Sequence, residues 1–325
     1  LQGCPSSAPG YLNVHVVCHS HNDAGWVEPV DTMYDTAVQH IYSSVVDSLS
    51  RYPERRYVSA ENVYFSRWLM ENQNVGNLTA VQRLVDSGKL EFVGGGWTQN
   101  DEATTHYTAI VDQMTMGLRF LNNTFGQCGK VTVGWQLDPF GHSQAFASLL
   151  AQMGFDGLFL GRAHYALFHQ KSKTKRLEFI WKASPLLGKV SDLLTIILFN
   201  RYEPPPSLCI NDVYCSSYDT LDELTRMADF ILDDIAIQSR KKGRRVRMFY
   251  STPLCYLASL HAANQSWPVF RGDLFPYADN PYRAWTGFYT SRPNLKGFAR
   301  YANGFLQAGT LLLCFCLVCR KEITR

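Results

Sequence analysis

The stretch Val14-His15-Val16-Val17-Cys18-His19-Ser20-His21-Asn22-Asp23 joins an apolar run to three side chains that can bind a metal. Its first half has the β-branched residues of a buried strand, and its second half begins where that strand would end. Alternate side chains of an extended backbone share one side, so His19, His21 and Asp23 face the same way. Imidazole nitrogens with a carboxylate oxygen suit Zn²⁺. The same pattern also fits a polar strand end with two capping histidines.

Apolar runs of strand length recur along the chain, and most are continuous rather than alternating. Such runs are typical of strands buried on both faces, as in a parallel sheet covered by helices. They span 12–18, 56–60, 90–94, 131–137, 157–160, 193–200 and 246–250. Amphipathic stretches lie between them, at 31–50, 79–87, 107–122, 143–153 and 221–239. The βαβα order predicts an α/β fold with right-handed crossovers.

The composition is that of an ordinary globular protein. The chain has 325 residues, 46% of them hydrophobic, and a net charge of +3, which gives no reason to expect nucleic acid or an anionic membrane as a partner. The basic cluster at 240–245 is interpreted as a solvated loop. The longest apolar run, 311–319, is too short to span a bilayer, so we expect no membrane span. The chain opens at Leu1 without a signal peptide and is interpreted as a mature form or a fragment.

The cysteines and the glycosylation sequons favour the secretory route. Four cysteines are placed like disulfide partners, namely Cys4, Cys209, Cys215 and Cys255. Three sequons fall in predicted loops or helix ends, with the acceptors Asn77, Asn122 and Asn264. Together these features predict a glycoprotein with disulfide bonds.

Polar residues follow several of the predicted strands. Functional groups of such folds gather at the carboxyl ends of the strands. The residues at those ends are His19, His21 and Asp23, then Glu61, then Trp97, Asp101 and Glu102, then Asp138, and finally Arg162 and His164. Taken singly, Glu61 or His164 reads equally well as a cap or a salt-bridge residue. Their convergence predicts one site at this edge of the sheet.

The run Asp138-Pro139-Phe140-Gly141-His142-Ser143 follows the fourth predicted strand. Pro139 fixes the backbone after the strand, and Gly141 permits a tight turn. Together with His21 and Asp23, Asp138 gives a divalent cation three ligands from two strand ends, with positions open for substrate oxygens. The alternative is a simple strand-to-helix turn capped by Asp138, with His142 on its surface.

Carboxylates close to tryptophans are typical of carbohydrate sites. An aromatic face packs on a sugar ring, while carboxylates act as nucleophile and acid. Trp26 lies three residues after Asp23, and Trp97 follows a run of glycines. Both tryptophans fit a place in the core equally well.

Several motifs, in order along the chain, resemble glycoside hydrolase family 38, the class II α-mannosidases. They stand at 19–26, 90–97, 100–103, 138–143, 152–157, 275–279 and 288–293, and the likeness covers about 4–307. The resemblance implies a distorted seven-stranded, mostly parallel α/β barrel. It also implies a retaining, zinc-dependent exo-α-mannosidase of the lysosome or the secretory pathway that acts on mannose-containing N-glycans. Residues 1–293 would form the N-terminal catalytic domain, and 294–325 the start of a helical domain with a divergent apolar tail.

The resemblance also implies roles for single residues. His21 and Asp23 match two zinc ligands, and Asp138 matches the residue that is both zinc ligand and nucleophile. Zinc would then hold the ring hydroxyls at C2 and C3 while Asp138 attacks the anomeric carbon. The positions that match substrate contacts are Trp26, Arg162 and Tyr202. The disulfide pairs that it implies are Cys4 with Cys255 and Cys209 with Cys215.

Two departures from the family pattern predict weakened catalysis. One βα unit is missing before the strand that starts at Val246, and with it the aspartate that is the family's general acid. Neither Asp273 nor Asp279 matches its motif. From Gly309 the chain leaves the pattern, ahead of the histidine that would be the fourth zinc ligand.

We therefore expect an opened barrel with exposed strand edges and impaired hydrolysis. The alternatives are an inactive remnant that binds mannose or glycans, and an incomplete gene-model product with no stable fold.

Overall fold

The computed structural model describes residues 3–72, 74–202 and 241–323, and strands occur at each of the predicted apolar runs. The predicted helix at 221–239 and the pair Cys209 and Cys215 lie outside the described residues. The strands are β1 Leu12–Val17, β2 Tyr57–Ser59, β3 Leu90–Phe92, β4 Val133–Gln136, β5 Gly157–Leu160, β6 Glu178–Lys182, β7 Asp192–Ile197, β8 Val246–Ser251, β9 Val269–Phe270, β10 Ala278–Asn280 and β11 Arg283–Ala284.

Helices separate most of these strands, as the amphipathic stretches predict. They are α1 Val30–Met33, α2 Gln39–Arg51, α3 Asn62–Glu71, α4 Val75–Asp86, α5 Tyr107–Phe125, α6 Gln144–Gln152, α7 Tyr165–Lys173, α8 Pro253–Ala262 and α9 Pro293–Ile323. A π-helical segment, Tyr34–Val38, joins α1 to α2. Polar side chains cap the N-termini of several helices. The Ser143 hydroxyl accepts from the amide of Phe146 at the start of α6, and the Thr252 hydroxyl accepts from the amide of Cys255 at the start of α8.

The sheets are mostly parallel. β1 pairs with β8, β2 with β3, and β5 with both β4 and β7, all in parallel, whereas β6 runs antiparallel to β7. Single backbone hydrogen bonds connect neighbouring sheets, from Val58 N to Cys18 O (2.9 Å) and from Gly94 N to Val133 O (2.8 Å). The carboxyl ends of these parallel strands therefore lie at one edge, where the sequence predicts the site.

The predicted seven-stranded barrel is not confirmed. The described strands pair into four separate sheets and form no closed barrel within the described residues. What the structure supports is a mixed α/β fold with a parallel-rich sheet.

Apolar side chains cover both faces of the strands, which explains the continuous apolar runs. On one face Val58, Val93, Trp135 and Phe159 pack with Leu257 of α8. On the other face the helices pack against the strands, through residues that include Tyr34, Phe65, Trp68, Phe92 and Leu121. All four residues of β4 and of β5 are buried. None of the described helices has the length and hydropathy that crossing a membrane requires.

Strand β3 is tied to helix α8 by a buried carboxyl group. An oxygen of Glu91 accepts from the amide of Leu254, at 3.1 Å, in the first turn of α8. Burial raises the pKa of Glu91 to about 7, against the hydrogen bonds from Thr252 and Leu254 that lower it. Beside this contact a disulfide joins Cys4 to Cys255, the pairing that the resemblance implied.

Candidate active site

Three side chains from two strand ends meet in the fold. His21 and Asp23 follow β1, Asp138 follows β4, and one ligand atom from each lies within 4.8 Å of the others. His21 Nε2 is 3.4 Å from Asp23 Oδ1 and 3.7 Å from Asp138 Oδ2. The residues that the sequence marked as candidate metal ligands are therefore brought together.

The donor set and its surroundings fit a divalent cation such as Zn²⁺. His21 Nε2 is buried and has no hydrogen-bond partner among the described residues, although two carboxylates flank it. Burial disfavours the imidazolium, but the carboxylates of Asp138 and Asp23 raise the pKa of His21 to about 10, a sign of strong negative potential at Nε2. One nitrogen and two carboxylates leave positions open for a substrate, as in catalytic zinc sites.

Asp138 is held by two further side chains. Its Oδ1 accepts from Arg162 Nε (3.0 Å), Arg162 Nη2 (2.5 Å) and the Tyr202 hydroxyl (2.6 Å). Burial raises the pKa of Asp138, but the nearby His21 ring and the hydrogen bonds from Tyr202 and Arg162 outweigh it and hold that pKa well below its usual range. Asp138 is therefore an ionised carboxylate with one fixed oxygen, while Oδ2 faces His21.

Aromatic rings surround the Arg162 guanidinium. Its central carbon lies 5.3 Å from the ring centroids of Phe140 and Trp285, 5.6 Å from that of Tyr202 and 5.8 Å from that of Tyr277. A cation at this distance from a ring face is stabilised by the π electrons. No sequence feature assigns a role to Tyr277 or Trp285. The family motifs at 275–279 and 288–293 are the nearest signal in the sequence, since the first contains Tyr277 and the two flank Trp285.

His19 is separate from the candidate metal-binding group. Its ring is buried and packs edge-on against Trp135, with ring centroids 5.3 Å apart. Burial lowers the pKa of His19 to about 4, so the ring is neutral. His19 therefore supports the end of β1, and the three-residue group found among the described residues does not include it.

The buried Glu61 and the half-buried Gln99 lie behind His21. Gln99 Nε2 is 3.1 Å from His21 Nδ1 and 2.7 Å from Glu61 Oε1. Burial raises the pKa of Glu61. These side chains line one cleft with Asn22 and Asp23. The sequence marked Glu61 as a strand-end residue without a role, and it carried no signal for Gln99.

A second buried network fixes the loop that carries Asp138. His142 is 0% exposed, with Nδ1 2.8 Å from Glu102 Oε1 and Nε2 3.0 Å from the carbonyl oxygen of Arg162. The amide of Ser143 donates to Glu102 Oε2 at 2.7 Å. The reading that placed His142 on a surface is wrong, because the ring bridges two loops of the site.

The remaining predicted residues take other positions. Trp26 lies on the loop after Asp23 with 77% of its surface exposed, so its contact with a sugar stays a prediction. Trp97 packs edge-on against Phe120, with centroids 6.2 Å apart. Of the two aspartates weighed as general acids, Asp279 pairs with Arg283 and Asp273 accepts from the amide of Gln144.

Comparisons with known proteins agree with this geometry. Residues 11–233 match the glycosyl hydrolases family 38 N-terminal domain. The lysosomal alpha-mannosidases of Cavia porcellus and Homo sapiens are 42% and 39% identical over 358 aligned positions, which cover 94% of this chain and 35% of each relative. The chain thus spans about a third of the length of the curated relatives it matches. An alignment longer than the chain itself requires gaps in this sequence.

A solved structure shows a similarity of fold. The crystal structure of an alpha-mannosidase from Enterococcus faecalis V583 superposes with a TM-score of 0.58 at 16% identity, and covers 81% of this chain and 30% of that chain. The matched domain, the level of identity and the likeness of fold agree. The chain belongs to glycosyl hydrolase family 38.

Proposed function

We propose that this chain carries the active site of a zinc-dependent, retaining α-mannosidase. One observation carries the proposal: His21, Asp23 and Asp138 meet within 4.8 Å, and Arg162 and Tyr202 fix the Asp138 carboxylate. We assign residues 1–293 to its N-terminal catalytic domain and 294–325 to the start of a helical domain.

The residues divide the chemistry among them. His21, Asp23 and Asp138 would hold Zn²⁺, which supplies Lewis-acid stabilisation of sugar oxygens when bound. Arg162 and Tyr202 keep Asp138 ionised and fix its plane. Asp138 then attacks the anomeric carbon as the bond to the leaving oxygen breaks, which releases the aglycone and forms a glycosyl-enzyme. Water then attacks the same carbon and frees Asp138, so that the mannose is released with net retention.

The substrate class follows from the relatives and from the walls of the site. The named relatives are lysosomal alpha-mannosidases, so we propose terminal α-mannose of N-glycans as the substrate and the lysosome or the secretory pathway as the location. Phe140 and Trp285 beside Arg162 offer aromatic surface for a sugar ring. The sequon residues Asn122 and Asn264 are exposed and Asn77 is half-buried, and we propose them as glycosylation sites.

We propose that hydrolysis is impaired. A retaining glycosidase needs a second carboxyl group about 5 Å from the nucleophile to protonate the leaving oxygen. Asp279 and Asp273 are engaged elsewhere, and the gaps in the alignment agree with a missing βα unit. Loss of general acid catalysis lowers the rate by about 10²- to 10⁴-fold. A glycan-binding remnant is the second candidate, because the described residues keep the Asp138 and Arg162 pair but bring neither Asp273 nor Asp279 to it.

The choice of leaving group tests this proposal. A dinitrophenolate departs without protonation, whereas an alkoxide does not, so a chain without a general acid should hydrolyse dinitrophenyl α-mannoside and hardly any methyl α-mannoside. We expect release of α-mannose as the first product, seen by proton NMR, and loss of the activity on zinc removal. Mannose binding without turnover of either compound would support the glycan-binding remnant. A chain that showed neither mannose binding nor turnover would contradict both candidate functions.

A further inference from the structure

Two polar side chains stand behind His21, at the ring nitrogen Nδ1, while the candidate ligands Asp23 and Asp138 lie near Nε2. We propose that Glu61, acting through Gln99, is a positioning residue that orients the His21 imidazole and strengthens its binding of Zn²⁺. The inference rests on the proposed function, since it requires a metal ion at His21 Nε2.

The contacts form a continuous path between strand ends. Glu61 follows β2 and is 2% exposed, and its Oε1 accepts from Gln99 Nε2 at 2.7 Å. The same amide group lies 3.1 Å from His21 Nδ1. Asn22 Nδ2 stands 3.5 Å from the other oxygen of Glu61. Glu61 thus contacts Asn22, the residue next to His21, directly, and His21 itself through Gln99.

A metal ion at His21 Nε2 determines which hydrogen-bond partner His21 Nδ1 requires. The bound imidazole is neutral, so its proton lies on Nδ1 and requires an acceptor. The acceptors in reach are the Gln99 amide oxygen, once the amide rotates, and the Glu61 carboxyl group behind it. Gln99 Oε1 is buried and has no hydrogen-bond partner among the described residues. The proposed rotation exchanges the contact of Nε2 with His21 Nδ1 for a contact of Oε1, while Nε2 keeps donating to Glu61 Oε1.

A hydrogen-bond acceptor behind the ring also raises the basicity of Nε2 as a ligand. Residues that accept from a metal-bound histidine typically change metal affinity about 10- to 100-fold when they are replaced. Glu61 is well placed for this effect, because a buried carboxyl group acts through a low dielectric. The proposed role of Glu61 is thus electrostatic and differs from packing in the hydrophobic core.

Zinc affinity of the full chain tests the proposal without relying on turnover. Competition with a chromophoric chelator gives Kd for Zn²⁺, and thermal unfolding of the metal-free protein reports stability. We expect Glu61→Gln, which keeps the shape of the side chain, to weaken zinc binding about 10- to 100-fold. The matched control is Glu91→Gln, a buried carboxyl group of the neighbouring strand that bonds Leu254 instead of the site, and it should leave Kd within about twofold.

A second variant covers the case in which Glu61→Gln does not fold. Gln99→Leu removes the relay and should weaken zinc binding by a similar factor. The double variant should lose little more than either single variant, because both act on His21 through one path. Unchanged zinc affinity in Glu61→Gln or in Gln99→Leu, or an equal loss in Glu91→Gln, overturns this inference but leaves the proposed function in place. A wild-type chain that binds no zinc overturns the proposed function and this inference with it.

Discussion

At the scale of single residues, Asp138 is the centre of the site, with a different partner on each oxygen. Oδ1 accepts from Arg162 and Tyr202, and Oδ2 faces His21. This division fits the proposed double role of Asp138 as nucleophile and metal ligand. Removing one partner of Oδ1 is a mild way to probe the arrangement.

Tyr202→Phe should lower kcat/KM for dinitrophenyl α-mannoside about 10- to 100-fold. The hydroxyl donates to an ionised carboxylate at 2.6 Å, and a hydrogen bond to a charged group contributes about 1.5–3 kcal/mol. The matched control is Tyr256→Phe, whose hydroxyl donates to Glu178 at 2.9 Å instead of to Asp138. Equal rates in wild type and Tyr202→Phe would show that this contact has no part in the reaction.

The sequence predicted which residues come together at the site. It predicted less well which residues hold them in place. His21, Asp23 and Asp138 were identifiable because each follows a buried strand, and Arg162 occupies the same kind of position. Gln99 and Trp285 lie in irregular segments, where neither hydrophobic period nor strand order determines side-chain position. Their contacts follow from tertiary packing alone.

At the scale of elements, a buried network joins three segments of the site. Glu102, from the loop before α5, accepts from His142, from the amide of Ser143 and from Gln136 of β4. His142 in turn reaches the carbonyl oxygen of Arg162, after β5. The network therefore holds the Asp138 loop against the Arg162 loop.

Glu102→Ala should lower the free energy of unfolding by about 3–5 kcal/mol, because several buried donors lose their acceptor at once. Urea unfolding followed by circular dichroism measures the change. The control is Asp47→Ala, which removes an exposed ion pair with Arg51 and should change stability by less than about 1 kcal/mol. Similar losses in the two variants would refute a stabilising role for the network.

The contact between β3 and α8 should make stability depend on pH. The folded-state pKa of Glu91, about 7, is above that of an ordinary carboxyl group, so the folded protein binds the proton more tightly than the unfolded chain. This contribution is fully present below the unfolded pKa and is lost as pH rises through about 7. We expect Glu91→Gln to reduce the fall in Tm between pH 4.5 and 7.5. An identical fall in wild type and variant would show that Glu91 does not cause it.

Strand order was predictable in part. The continuous apolar runs correspond to β1 to β5, β7 and β8. Burial on both faces leaves few polar positions in β2 to β5 and β7, whereas β1 and β8 are mostly half-buried. The antiparallel strand β6 was missed, since its sequence Glu178-Phe179-Ile180-Trp181-Lys182 buries only Phe179 and Trp181. Helix α3 was missed as well, because its start at Asn62 has no side-chain cap.

At the scale of the whole molecule, the described strands form four separate sheets and no closed barrel. Closure of a barrel removes strand edges, so separate sheets have to be stabilised in other ways. The disulfide between Cys4 and Cys255 joins the start of the chain to α8, across a separation of 251 residues. It therefore constrains most of the unfolded chain.

Cys4→Ser should destabilise the protein by about 2–5 kcal/mol, because a long loop is no longer closed in the unfolded state. Urea unfolding under non-reducing conditions measures the loss. Cys128→Ser, at an exposed free cysteine, is the control and should unfold like wild type. Equal stability of all three proteins would exclude a stabilising role for the disulfide.

The central claim is that Asp138 attacks the anomeric carbon of a bound α-mannoside, and covalent trapping tests it most directly. A fluorinated α-mannosyl fluoride needs no general acid for its leaving group, and its ring fluorine slows the hydrolysis of the glycosyl-enzyme. Mass spectrometry of the digested protein should show the fluoromannosyl mass on the peptide that contains Asp138, and no label in Asp138→Asn. Absence of label in the zinc-loaded wild-type chain, or a label on another carboxylate, would contradict the account.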